Sequence, residues 1–346
     1  MQAGAQDIGY RLTVHEGDTT GYDVEMRLQH VPHQFKLAMA THHEYDDKFY
    51  RFVRDFRVVA TGGEAGFVRV DSAVYALTVS GDRVIVSYRI QLPPHRFAHQ
   101  SFLSRNGGMV GDVHSFFYLV GGTKIPATVD FDLPAGWTIA TGLEPAGHVN
   151  SFRVSSAKML MDCPALVGRL WEWHFKEGGI PYRVSYLPVN RRPVFDTATF
   201  VSAIGKIVHA AVGLFGGVPY THYDFLLVDG VFGALEHGNS VTIGAPADEL
   251  VGHMPDLYEQ VAHEFFHTWN LVNIEPSGYT DLNYGPQEVS AGLWFSEGLT
   301  MFYADLLVRR AGLPTEDSTR LAHLSALIGR YYSDTGDRVL DRKSVV

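Results

Sequence analysis

The sequence predicts an α+β protein, with a β-rich N-terminal domain over residues 1–188 and a mainly helical domain over residues 189–346. Three observations predict it. Before about residue 188, apolar and polar side chains alternate with period two, as in antiparallel strands with one buried face. Beyond it, apolar side chains recur every three to four positions, the period of a helix. Between them lies YLPVNRRPVFD, where two prolines bracket polar residues as in a linker. A chain of 346 residues also exceeds what one hydrophobic core ordinarily organises.

The strands come first. Tyr10, Leu12 and Val14 share one face, as do Val24, Met26 and Leu28. In RVIVSYRIQL the apolar set is Val84, Val86, Tyr88, Ile90 and Leu92. AVYALTV, SFFYLV, ATVDFDL, WTIATGL and YRVSYL follow, several of them separated by GD, GG or PAG turns. Asp196 then caps a helix running to about Leu214, with Phe200, Ile204, Ile207, Val208 and Ala211 on one side and Gly216 and Gly217 as its stop. YDFLLVDG reads as a buried strand, and GALEHGNSVTIGA as loop and strand. A second helix begins at Pro255, where Asp256 and Glu259 suit its positive end. A third runs to about Arg310, with Arg309 and Arg310 in its last turn, Gly312 as stop and Pro314 beyond.

Composition narrows the function. With 46% hydrophobic and 19% charged residues the chain is an ordinary folded protein. A net charge of −10 with no basic stripe argues against nucleic acid and against anionic membrane surfaces as partners. No apolar run reads as long enough to span a bilayer. The lone Cys163 forbids an internal disulfide and reads as a small core residue. The start, MQAGAQDIGYRL, is no intact signal peptide. Export with the signal already removed and a cytoplasmic location stay equally open, and oligomeric state is not legible.

The stretch VAHEFFHTWN, residues 261–270, carries chemistry. On a helix, positions four apart project about 40° from each other. His263 and His267 thus aim two imidazoles at one point, where zinc accepts nitrogen at about 2.0–2.1 Å. Glu264, beside the first histidine, is placed to take a proton from a water on the metal. Catalytic zinc usually takes three protein ligands, and Glu297 in LWFSEGLTMFYADLL is the expected third. Among Trp294, Phe295, Leu299 and Phe302, that carboxylate needs a partner, since an unpaired buried charge is costly. The competing reading is two ordinary helix histidines with a salt-bridged Glu264.

HEFFHTWN, then the Glu of WFSEG with 29 residues between it and His267, resembles the glycyl aminopeptidase family of zinc peptidases, metallopeptidase family 61. GALEHGNS, residues 233–240, is similar to that family's GGLEH-type segment. The resemblance implies a β-rich region followed by a thermolysin-like catalytic domain of the gluzincin type. It implies one Zn2+ held by His263, His267 and Glu297, and Glu264 as general base. Glu236 is implied to hold the substrate's free α-amine. The backbone of Gly233 and Ala234 is expected to receive the peptide by strand addition. His237 and Asn239 flank Glu236 and are expected to line the pocket. The expected partners are peptides with a free N-terminus, with glycine or alanine first.

Two departures matter. LVNIEP, with Asn273 and Glu275, stands where the family carries a basic run. The chain also ends at DRKSVV, before the family's further helices and PDZ domain are expected. Tyr331 and Tyr332 read as helix packing rather than as an oxyanion-stabilising tyrosine. Asp305, eight residues after Glu297, is a candidate outer partner of a metal-bound histidine. THHEYDDK, residues 41–48, reads as a solvated turn, because adjacent strand histidines face opposite ways. The expected function is a zinc aminopeptidase in which Glu264 assists attack of zinc-bound water. The alternatives are a silent binder of peptide N-termini and an endopeptidase that would accept N-acetylated substrates.

Overall fold

A computed structural model describes residues 7–40, 48–93, 97–98, 100–188, 195–252, 254–276 and 292–333. The THHEYDD segment and the prolyl linker at 189–194 lie outside the described residues.

The first strand, Asp7–Thr13, buries Ile8, Tyr10 and Leu12, as the alternation predicts. It sits inside a seven-stranded sheet, antiparallel to Gly21–Gln29 and parallel to Ala127–Asp132. That parallel pair departs from the antiparallel expectation; its partners are far apart in sequence, so no hairpin dictates their direction. Arg83–Gln91 continues the sheet with Val84, Val86, Tyr88 and Ile90 buried. Each such side chain contributes about 1.5–3 kcal/mol on burial. Two four-stranded sheets complete the β-rich part. Its buried tyrosines are satisfied: the hydroxyl of Tyr10 donates to the Phe117 carbonyl at 2.9 Å, and that of Tyr88 to the Ser115 carbonyl at 2.7 Å.

The chain changes sheets between Gly168 and Trp171, well before residue 188, where the sequence pattern placed the division. Trp171–Glu177 and Ile180–Leu187 form a hairpin whose second strand pairs in parallel with Tyr223–Val228. YRVSYL thus belongs to the second sheet. Period two alone cannot tell which sheet a strand joins. Ser240–Gly244 adds in parallel, and Ala234–Glu236 closes the five-stranded sheet as an antiparallel edge.

Helix Thr197–Phe215 makes the crossover between the first two parallel strands. Asp196 Oδ1 accepts the Thr199 N–H at 3.0 Å, and Gly216 stops the helix at φ +72°, a conformation with no Cβ to resist it. Among the described residues this is the one helix long and apolar enough to cross a bilayer, which the sequence pattern did not reveal. Its Phe200, Ile204, Ile207, Val208 and Ala211 are buried in the core beneath the sheet. Met254–Phe266 and Leu293–Arg310 pack on the same core through Val261, Phe265, Leu307 and Val308. A further helix, Asp317–Ser333, follows.

The two parts meet along an apolar seam in which Phe102, Met109 and Leu166 pack with Leu187, Leu226 and Val228. Beside it Arg183 pairs with the buried Asp224 and donates to the Thr141 carbonyl at 3.2 Å.

Candidate metal centre

Helix Met254–Phe266 carries His263, and the turn closing it carries His267, whose N–H still points to the His263 carbonyl at 3.3 Å. One helical turn therefore sets both imidazoles side by side. Their Nε2 atoms lie 3.1 Å apart. Helix Leu293–Arg310 brings Glu297 between them, with Oε2 at 3.3 Å from His263 Nε2 and Oε1 at 3.5 Å from His267 Nε2. Ligands bonded tetrahedrally to zinc at about 2.0–2.1 Å are separated by about 3.3–3.4 Å. The three observed separations fit the edges of such a site, and two imidazoles with one carboxylate leave a fourth position open.

Electrostatics suit the same role. Burial pulls His267 down to about 4, with Glu297 opposing and His263 reinforcing, so its ring is neutral near pH 7. Burial pushes Glu297 up, but the hydrogen bond from His263, with the interactions of the two rings adding, outweighs it and lowers it. Burial alone would lower His263; Glu297 and Glu264 outweigh it and raise it.

His267 Nδ1 faces the carbonyl of Asn270 at 3.0 Å. The Asn270 amide donates to the Ser296 carbonyl at 2.7 Å and to Thr300 Oγ1 at 2.9 Å. Asn270 thereby joins the turn after one ligand helix to the helix bearing the third ligand. Ser296 and Thr300 escaped the sequence reading, although they are four apart on the Glu297 helix and so share a face. Asp305 does not take this place. It pairs with Arg320 of the following helix, which holds its carboxyl below the usual range.

Glu264 is 9% exposed. Carboxylate oxygens of Glu264 and Glu236 and a ring nitrogen of His267 all lie within 4.8 Å of one another. Glu236 ends the edge strand, opposite Val241. Gly233 precedes that strand at φ +92°, a conformation open to glycine, and its carbonyl accepts the Gly244 N–H at 2.8 Å. Ala234 pairs with Ile243. Burial, with Glu264 and Glu236 adding, pushes the neighbouring Tyr223 hydroxyl up.

His237 and Asn239, expected to line the pocket, turn toward the N-terminal part instead. His237 is buried with Nδ1 at 3.4 Å from Asp162 Oδ1, and Asn239 donates to the Gly142 carbonyl at 2.7 Å. In a tight hairpin, side chains beyond the strand end need not continue its face. Cys163 is buried, as expected of a core residue, and Tyr331 and Tyr332 are exposed on their helix. Of the departing residues, Glu275 receives Lys158 Nζ at 3.0 Å and Asn273 donates to the Thr268 carbonyl at 2.6 Å.

The chain is similar in fold to solved zinc peptidases. An aminopeptidase N family protein from Idiomarina loihiensis superposes with a TM-score of 0.81 at 22% identity, covering 88% of this chain and 55% of that one. The chain thus spans about half the length of that relative. An M1 zinc metallopeptidase from Deinococcus radiodurans superposes at 0.55 with 15% identity, covering 96% and 76%. A mutant of the Deinococcus enzyme bound to a Tyr-Ser-Ala substrate superposes at 0.53 with 16% identity, covering 95% and 76%. No curated protein matches. The M61 N-terminal domain model matches residues 9–169, and the M61 glycyl aminopeptidase model matches residues 256–344, which include both histidines and Glu297. Two models of one family, in the order the fold requires, take in the strands and the candidate metal centre alike, and the chain belongs to the M61 glycyl aminopeptidase family.

Proposed function

We propose that the chain is a zinc-dependent aminopeptidase, releasing the first residue of peptides with a free N-terminus and preferring glycine or alanine there. The observation that carries this reading is the convergence of three ligand atoms at zinc-like separations with two further carboxylates beside them. The division of labour follows the chain's two parts, a β-rich N-terminal domain and a catalytic domain. A Deinococcus relative seen with a tripeptide supports a peptide as the substrate.

His263, His267 and Glu297 would hold one Zn2+, which when bound supplies Lewis acidity that makes water a better nucleophile and polarises the scissile carbonyl. Glu264 takes a proton from the attacking water and passes one to the departing amine. Its low exposure strengthens that exchange by keeping competing water away. Glu236 accepts the α-ammonium of the substrate, so the first peptide bond, and not a later one, lies beside Glu264. Ala234 and Gly233 present backbone groups at the sheet edge to an incoming extended peptide. An N-acetylated peptide offers Glu236 no cation.

The test is hydrolysis of glycyl and alanyl arylamides with and without a chelator, beside their N-acetyl counterparts. Chelator-sensitive cleavage of the free-amine substrates alone supports the reading. Equal cleavage of both sets points to an endopeptidase, and absence of cleavage in zinc-loaded protein points to a binder of N-termini.

A further inference from the structure

Glu236 sits at the end of a three-residue strand, Ala234–Glu236, at the edge of its sheet. A strand that short has little intrinsic stability. Both of its flanks are tied to the N-terminal part of the chain. Upstream, the Ala98 N–H donates to the Phe232 carbonyl at 2.9 Å, and Phe97 forms a parallel bridge with Phe232. Downstream, the hairpin tip His237–Asn239 is gripped at each residue. Asp162 Oδ2 accepts the Gly238 N–H at 2.8 Å, while its Oδ1 faces His237 Nδ1 at 3.4 Å. Asn239 donates to the Gly142 carbonyl at 2.7 Å, and Cys163 Sγ lies 3.9 Å from its Oδ1. The fit is close: a Cβ on Gly142 would lie 2.2 Å from Asn239 Oδ1.

We infer that Asp162 is a positioning residue for Glu236, and that the N-terminal domain thereby sets the span between the amine anchor and the His263–His267–Glu297 group. This rests on the aminopeptidase reading proposed above. An anchor that counts residues from the N-terminus must stand at a fixed distance from the reacting bond. The strand itself pairs with its sheet over only three residues, 234 to 236. The carboxylate of Asp162, ending helix Ala157–Asp162, supplies a charge-assisted bond to the backbone two residues beyond Glu236. Loss of this grip lets the hairpin tip fray and Glu236 wander, which weakens capture of the α-ammonium before it affects the group that holds zinc.

The test uses the full chain loaded with zinc. In Asp162→Ala, KM for glycyl and alanyl arylamides should rise about 10-fold, the worth of one charge-assisted hydrogen bond, with kcat within about threefold of wild type. Zinc content should be unchanged. Amide exchange at residues 234–240 should accelerate while that of Met254–Phe266 stays as it was. Asp162→Asn, which keeps an acceptor for the Gly238 N–H, should restore most of the KM. Gly142→Ala, which forces Asn239 away from the other side, should reproduce the KM defect and decides the matter if Asp162→Ala does not fold. Wild-type KM and exchange in both variants overturn the inference, as does a loss of kcat together with zinc. A wild-type protein that cleaves nothing overturns the function reading instead, and exchange at 234–240 then judges the grip by itself.

Discussion

The Nδ1 of His267 lies 3.0 Å from the carbonyl oxygen of Asn270, in the turn just past the end of its own helix. A carbonyl only accepts, so Nδ1 carries the proton and Nε2 turns its lone pair toward His263 and Glu297. That turn is held by the Asn270 side chain through Ser296 and Thr300. Asn270→Ala should therefore leave all three ligands in place yet weaken zinc binding by about 10–100-fold, because the ring is no longer held in orientation. Competition against a chelator of known affinity measures this, and an unchanged affinity would show that the helix alone orients the ring.

Glu264→Gln separates binding from chemistry. The amide keeps the size of the carboxylate but cannot take a proton. Hydrolysis should fall by at least about 10²–10⁴-fold while zinc remains bound. Binding of a free-amine peptide, followed by calorimetry, should persist in this variant. Loss of zinc along with activity would instead give Glu264 a place among the ligands.

Much of this arrangement was legible in the sequence because it is local. Asp196, the apolar side of Thr197–Phe215 and Gly216 act within one helix and behave as their spacing says. His263 and His267 meet for the same reason, being one turn apart. Glu297 needed chemistry rather than spacing, as a carboxylate in an apolar stretch that required a cationic partner. What stayed hidden is long-range. Glu297 and Asp305 do lie about two turns apart on one helix, but Asp305 meets Arg320 from a later helix whose approach no periodicity encodes. The hairpin tip after Glu236 was hidden likewise. Its direction is set by Asp162 and Gly142, far away in the chain.

Removing the metal should cost stability as well as activity. Without a cation, Glu297 is left partly buried facing His263, which hydrogen-bonds it, and His267. Zinc at 100 times its dissociation constant stabilises the folded state by about 2.7 kcal/mol if the unfolded chain does not bind it. For a domain of this size that corresponds to about 5–10 °C in melting temperature. Thermal melts with chelator and with added zinc should show the shift in wild type and lose it in Glu297→Ala. A shift that survives in the variant would mean that zinc acts elsewhere on the chain.

The Asp18–Arg89 pair gives a pH dependence far from the metal. Asp18 Oδ2 lies 2.5 Å from Arg89 Nη2, and its Oδ1 accepts the Thr20 N–H at 2.8 Å and the Thr20 hydroxyl at 2.7 Å. Burial pushes the carboxyl up, but these bonds and the arginine together outweigh it and bring it from the ordinary 3.8 to about 2. The folded value lies below the unfolded one, so the folded state binds fewer protons between them. The pair's contribution is therefore full above about pH 4 and disappears as pH falls toward about 2. Asp18→Asn, which keeps acceptors for Thr20 and removes the charge, should cost about 0.5 kcal/mol at pH 7, as a largely solvent-screened pair does. Urea melts of the two proteins should draw together as pH falls from about 4 toward about 2, since the unfolded aspartate is protonated first. A gap that stays constant over this range would place the cost of the substitution in packing at the strand end rather than in the ion pair.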